Sequence, residues 1–313
     1  MEQWKYFLDL FARLHESFVT ALQDVGLASS LIVFLDSLIG ILLILAFVFP
    51  IVIIFIWLER RFIAWMQVRP GPNRCGPAGL LQPVADAVKV LFKELIMPEK
   101  ADKLVHWIAP ALIFFAGLML FAVIPIGAGR FGALTDLNIG VLFLLAISSV
   151  SVYAIALAGW ASNNKYALLG SLRAAAQMIS YELPLGIALA APLLMAGSLS
   201  LREIVDAQGG YFFGVIPNWF VFQLPAPQVF GFVIFLIAAF AETNRIPFDL
   251  PEAENELVAG FHTEYSSLKF ALFFLSEYIN MITLSMLMAV FFFGGWPGRA
   301  YTNHFPVFFP RGG

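Results

Sequence analysis

Six stretches of this chain, at about 31–57, 104–124, 139–160, 175–197, 228–246 and 268–293, are each long enough to cross a bilayer and nearly free of charge. A span needs about 20 apolar residues, because a helix rising 1.5 Å per residue must cross about 30 Å of hydrocarbon. Inside that hydrocarbon every backbone N–H and C=O must be bonded within the chain, so repeated apolar stretches of this length dictate helices. Charged residues make up 12% of the chain and mean hydropathy is +0.85, whereas a soluble domain carries about 25% charge. The predicted fold is an all-α, polytopic membrane bundle of about six transmembrane helices plus interfacial amphipathic helices, in one transmembrane domain over 31–296. Pro50, Pro184 and Pro192 fall inside spans, where neighbouring helices can re-satisfy the carbonyls they free.

The basic residues set the expected orientation. Twelve of the 18 Lys and Arg fall in segments on one side of the spans: 58–103, 161–174 and the region around Arg245 and Lys269. Such an excess marks cytoplasmic loops, so 58–103, 161–174 and 247–267 are predicted to be cytoplasmic, with both ends of the chain on the other face. Residues 1–30 carry Phe7, Leu10, Leu14, Phe18 and Leu22 three to four apart among charges, which reads as an external amphipathic segment rather than a cleaved signal. Residues 297–313 form an external tail. Within the first loop, Val84, Val88, Leu91, Phe92 and Leu95 make one stripe opposed by Lys89, Lys93 and Glu94. This is an interfacial helix introduced by a Gly/Pro-rich turn. It reads either as an ordinary positive-inside loop or as a portal where a hydrophobic ligand leaves the bilayer. No internal repeat of the kind that marks a self-contained transporter is visible.

Cys75 is the only cysteine, so the chain alone can build no disulfide, iron–sulfur or thiolate zinc site. His15, His106, His262 and His304 never occur at ligand spacing and read as ordinary surface histidines.

Two carboxyls sit at membrane depth, where an ionisable group is a functional candidate by default. Glu182 lies nine residues past Arg173 and Glu277 eight past Lys269, or roughly 12–13 Å along a helix. Each has a tyrosine beside it, Tyr181 and Tyr278. A buried carboxyl resists ionisation and can trade a proton near neutral pH. The alternative is that each is fixed by a hydrogen bond or paired with a nearby Arg or Lys. Between the last two spans, Glu242, Asp249, Glu252, Glu254, Glu256 and Glu264 face one arginine, Arg245, among interleaved apolar residues. This reads either as a solvated face or as a proton-uptake funnel folded against protein.

Several longer words of the sequence carry a resemblance. Leu58-Glu59-Arg60-Arg61, Val68-Arg69-Pro70-Gly71-Pro72-Asn73-Arg74, the run Gly79 to Lys89, Gly159 to Gly170, Leu172-Arg173-Ala174, Gln177 to Glu182, Glu242 to Leu250 and Glu264-Tyr265 resemble the H subunit of proton-pumping NADH:quinone oxidoreductase, respiratory complex I. The resemblance runs from about residue 31 to 296. It implies a quinone chamber, with Arg60, Arg69, Asp86 and Phe274 lining or flanking the tunnel. It also implies an acidic proton path through Tyr181, Glu182, Glu242, Arg245, Asp249, Glu252, Glu254, Glu264, Glu277 and Tyr278, with Arg173 a neighbour. The chain would bind no cofactor and hold no catalytic or metal-binding residue of its own. Quinone is the substrate, and FMN and iron–sulfur clusters sit in partner subunits. The implied partners are the peripheral-arm quinone-site and terminal-cluster subunits, adjacent small membrane subunits, antiporter-like subunits, lipid and quinone, and no nucleic acid. The amphipathic start and composition point to a bacterial inner membrane. The family has eight spans, and this sequence stops at Gly313 without the last two, as a fragment or a shortened variant. Three rival readings stay open: the homologous membrane component of an energy-converting hydrogenase, a stand-alone proton or cation carrier, and a structural anchor.

Overall fold

The computed structural model describes residues 29–126, 134–212, 216–223, 228–245, 247–251 and 254–295. The expected N-terminal amphipathic segment, the tail after 296 and Glu252 lie outside them, as does the side chain of Glu254.

Among the described residues, five helices are long and apolar enough to cross a membrane. They are α1 (Ser29–Met66), α3 (Lys103–Leu120), α4 (Gly140–Ala161), α5 (Lys165–Ala196) and α9 (Ser267–Phe292). Between them lie the short α2 (Gln82–Leu91), α6 (Leu201–Ala207), α7 (Val229–Glu242) and α8 (Glu254–Leu257). A two-residue antiparallel ladder, Tyr211–Phe212 with Ile216–Pro217, joins α6 towards α7. The chain is therefore a polytopic helical membrane bundle, as the hydropathy predicts.

Three boundaries differ from expectation, each for a local reason. The first helix does not stop at 57 but continues to Met66, because no Gly or Pro falls between Trp57 and Val68, where φ turns to 53°, and Pro70 follows. Glu59, Arg60 and Arg61 are thus helical rather than loop residues. The segment 161–174 is not a loop beyond Asn164: α5 begins there, its N-terminus capped by the Asn164 side chain, which accepts from the Tyr166 amide at 2.9 Å. A side chain that satisfies an orphan N–H favours a helix start, and polarity alone hides this. The fifth apolar stretch forms only the 14-residue α7, about 21 Å long and short of a full crossing. The helix closes where the Thr243 hydroxyl donates back to the Ala239 and Phe240 carbonyls and Asn244 takes φ 51°.

α9 is the central strut, packed chiefly on α3 and touching α1, α2, α5, α6 and α7. Small residues set the close approaches. Gly159 and Ala158 on α4 face Ser171 and Ala174 on α5, and a Cβ on Gly159 would fall 2.1 Å from the Ser171 hydroxyl. In lipid, where apolar contact gives no net drive, such backbone proximity is what holds helices together. Gly170 likewise lets the Gly260 backbone, in the turn Gly260–His262, seat directly on α5. At the opposite end Gln208 is fully used: it donates to the Ile204 and Val290 carbonyls and accepts from the Phe220 and Gly294 amides. α1 stands apart, with a long apolar face left open from Leu31 to Met66.

Candidate functional site

The extension of α1 carries Glu59 to the segment after α7 and to α9. Arg245 Nη1 donates to Glu59 Oε1 at 3.0 Å, and the Tyr278 hydroxyl donates to Glu59 Oε2 at 2.5 Å. The guanidinium also lies 4.8 Å from the Tyr278 ring centre, a cation–π distance. Arg245 Nε and Nη2 are buried with no hydrogen-bond acceptor among the described residues. Tyr278 continues into an aromatic file along one face of α9. Its ring is 5.0 Å from Phe274, which stacks at 6.2 Å on Phe270. Phe274 is 36% exposed, so the group opens to the surface there.

Two small cavities lie beside it inside the bundle. The polar lining of the first is Glu242, Thr243, Asn244, Glu277 and Asn280. Asn244 and Glu277 are chain neighbours of Arg245 and Tyr278, so the cavity abuts the Glu59 cluster. The second is lined on its polar side by Ser148, Ser151, Glu242, Asn280 and Thr283. Glu242 Oε2 is buried and meets no hydrogen-bond partner among the described residues.

Among the described residues, Glu182 is held by serines, not by a base. The Ser149 hydroxyl donates to Glu182 Oε1 in a short hydrogen bond, and Ser148 reaches the same oxygen at 3.5 Å. Arg173, expected as a neighbour of the acidic path, bonds Glu256 Oε2 at 2.7 Å; it lies nine residues before Glu182 and so on a different level of α5. Tyr181 packs edge-on against Phe248 at 5.3 Å, and Asp249 follows it in the half-buried segment after α7. Glu264 accepts from the Asn164 amide at 2.6 Å. Glu254 opens α8. Gln177 on α5 anchors this whole return, donating to the Ala241 and Phe248 carbonyls at 2.7 and 2.8 Å. The acids at 242–264 are thus distributed between the bundle interior and a folded-back cap, not gathered into one solvated run.

At the mouth of the bundle Arg60 on α1 and Asp86 on α2 form a close ion pair, and Gln82 donates to Asp86 Oδ1 at 3.1 Å. Partial burial pushes the Asp86 carboxyl up, but the Arg60 and Gln82 hydrogen bonds outweigh it and hold the group below its ordinary value. Trp57 Nε1 adds a second tie to the turn before α2, donating to the Ala78 carbonyl at 3.0 Å. The α2 stripe predicted from periodicity is open: Val84, Val88, Leu91, Phe92 and Leu95 are all exposed. Arg69 bonds Gln67 at 2.6 Å rather than joining the Arg60–Asp86 pair.

Two features of this region escape a reading of the sequence. Glu59 looks like a juxtamembrane charge until α1 is seen to continue through it. Ser148, Ser149 and Ser151 had a signal, three hydroxyls inside an apolar span. His106 is a correction: it is fully buried on α3, not a surface histidine. Its Nδ1 lies 2.8 Å from Nζ of the equally buried Lys269, its ring stacks on Tyr265 at 4.0 Å, and the ammonium sits 4.3 Å from the Trp107 ring centre. His262 is also mostly buried, and burial lowers its imidazole to about 4.

The model of the NADH dehydrogenase family matches residues 39–310. One NADH-quinone oxidoreductase H subunit of Solibacter usitatus (strain Ellin6076) is 58% identical over 247 residues, covering 77% of this chain and 61% of that protein. The corresponding H subunit of Dehalococcoides mccartyi (strain CBDB1) is 51% identical over 261 residues, 83% of this chain and 70% of its own length. One from Geobacter metallireducens (strain ATCC 53774 / DSM 7210 / GS-15) is 54% identical over 250 residues, with coverages of 78% and 73%. The chain thus spans between about three fifths and three quarters of these relatives. A family match over most of the sequence, with identities above one half, means that this chain belongs to the NADH dehydrogenase family that contains the H subunits of NADH-quinone oxidoreductase.

Proposed function

We propose that the chain is the membrane subunit of an NADH-quinone oxidoreductase that walls the quinone chamber and carries the acidic path coupling quinone reduction to proton translocation. The observation that carries this reading is the continuity from Phe274 through Tyr278, Glu59 and Arg245 to the cavities lined by Glu277 and Glu242. An exposed aromatic at one end suits a hydrophobic quinone ring. Carboxyls at the other suit protons.

Quinone would enter from the bilayer where α1, α2 and α9 meet, with Arg60 and Asp86 beside the opening. Electrons would arrive from FMN and iron–sulfur clusters in partner subunits of the peripheral arm. This chain supplies only positions for the ring and groups that hold protons. Reduction of a quinone by two electrons demands two protons, and the negative charge that precedes their arrival acts on Glu59, Arg245 and Glu277 across a poorly screened interior. A carboxyl such as Glu242, whose Oε2 meets no hydrogen-bond partner among the described residues, can then change protonation and pass the event towards Glu182 and antiporter-like neighbours. The end bearing Arg60, Arg61, Lys89 and Lys93 faces the cytoplasm of a bacterial inner membrane under the charge-bias rule.

The test is photo-crosslinking of the assembled complex with a quinone analogue, combined with Glu242→Gln. We expect labelled peptides from α1 or α9, including the one containing Phe274, and a loss of protons moved per quinone reduced. Label confined to other subunits, with normal pumping in the variant, refutes the reading.

A further inference from the structure

The two interior cavities meet at one wall. Of all the residues lining them, only Glu242 and Asn280 belong to both. Asn280 sits on α9, one turn from Glu277 and Thr283, and its carboxamide makes no hydrogen bond among the described residues. Glu242 Oε2 is in the same condition. A carboxamide and a carboxyl oxygen left bare inside a membrane bundle are unfavourable unless something polar fills the gap. The space suits water. The first cavity offers about 10 Å³ to water centres, near the lower bound for one molecule. The second offers about 30 Å³, enough for about two by the same measure.

The second cavity also has a direction. Thr283 lines it with its hydroxyl donating to the Ile279 carbonyl at 2.9 Å, so its oxygen is left as an acceptor. Ser148 lines it too, and the same hydroxyl lies within reach of Glu182. From Glu242 the polar surface therefore runs past Asn280 and Thr283 to Ser148 and Glu182. The apolar residues between, Leu144, Leu185 and Leu284 among them, supply no other route.

We propose that Asn280 is a positioning residue that holds water between Glu242 and the serine-bound Glu182, making the second cavity the bridge between these two carboxyls. The inference rests on the proton path proposed above and adds to it the group that spans its gap. An amide suits this role because it can both donate to one water and accept from another, and it keeps the same form at every working pH. Glu242 takes or gives the proton; Asn280 keeps the water in line.

The experiment compares Asn280→Val with Asn280→Thr in the native complex in membrane vesicles, alongside Glu242→Gln. Valine and threonine have the same shape, so a packing effect moves both alike, and only threonine can bind water. Two quantities are read: protons moved per quinone reduced, and the infrared carbonyl band of protonated Glu242, identified by its loss in Glu242→Gln. We expect a loss of protons moved per quinone reduced in Asn280→Val, with the band shifted as its water partner goes. Asn280→Thr should stay close to the parent in both. Equal pumping and an unshifted band in the two variants, whether both high or both low, overturn the role of Asn280. If Glu242→Gln itself pumps normally, the proton path is what fails instead. If the branched side chains block assembly, Asn280→Ser against Asn280→Ala repeats the contrast with less bulk, and equal results there overturn the proposal.

Discussion

Tyr278 and Glu59 are hydrogen-bonded at 2.5 Å although 219 residues separate them in the chain. That bond, with Arg245 on the other carboxylate oxygen, is where α1 is tied to the otherwise compact group of α3, α4, α5, α7 and α9. α1 also packs Val48, Val52 and Ile56 against Phe121, Ile279 and Ile282, so the tie adds a polar fixing point to an apolar contact.

Glu59→Gln should therefore cost more than Tyr278→Phe. The first leaves the Arg245 guanidinium without its anion, and hydrogen bonds to charged groups contribute about 1.5–3 kcal/mol each. The second removes one hydrogen bond to that carboxylate, also about 1.5–3 kcal/mol, but leaves the ion pair in place. Thermal unfolding of the purified complex in detergent orders the two, and a larger loss in Tyr278→Phe would contradict the assignment.

The Arg60–Asp86 pair gives the α1–α2 mouth a defined pH response. The folded Asp86 carboxyl lies below its ordinary value, so its contribution is complete above about 3.9, the unfolded carboxylate value. It is lost only as pH falls through the lower folded value. Spin-label distances between α1 and α2 should be constant from about pH 7 to about pH 5, well above that range. Asp86→Asn should lengthen or broaden them at every pH. A transition in the parent near neutral pH would exclude the pair as the clasp.

His262 has the opposite practical consequence, because its window is accessible. Burial lowers it to about 4, whereas the unfolded imidazole titrates at about 6.5. Protonation therefore favours the unfolded chain, and stability present above about 6.5 declines as pH falls towards the folded value, by up to about 3 kcal/mol. His262→Phe removes the titration, so its melting temperature should vary less between these limits than the parent's. Parallel curves would show that His262 is not the group responsible.

Gly170→Ala tests the seat of the acidic cap on α5. A Cβ there would come within 2.7 Å of the Gly260 Cα, whereas one on Gly186, on the same helix, would meet nothing within 4 Å. Overpacking of that kind costs about 1–3 kcal/mol. Gly170→Ala should lower the melting temperature and loosen protease resistance around Glu256 and Glu264. Gly186→Ala should be neutral or slightly stabilising. Equal effects would mean the cap is not seated on Gly170.

Hydropathy made the spans legible because solvent selects them residue by residue, and the same local logic revealed the exposed apolar stripe that begins on α2. Boundaries were less legible. Asn164 starts α5 within a stretch that its polarity marks as loop, and α1 runs on through three charged residues because nothing breaks it. Motif resemblance supplied the family, but the partners within the site came from elsewhere. Arg173 belongs to Glu256 and not to Glu182, and His106 turned from surface residue to buried neighbour of Lys269.

From its own sequence this chain was bound to be a helical membrane protein with carboxyls inside the bilayer, since transfer from water to hydrocarbon is decided by each segment's composition. Which carboxyl meets which partner was decided only by the packed bundle. Glu59 reaches Arg245 and Tyr278 across 186 and 219 residues, and Asn280 and Glu242 share a wall of two cavities. Contacts between distant segments depend on helix rotation and close approach, which no local pattern of residues records.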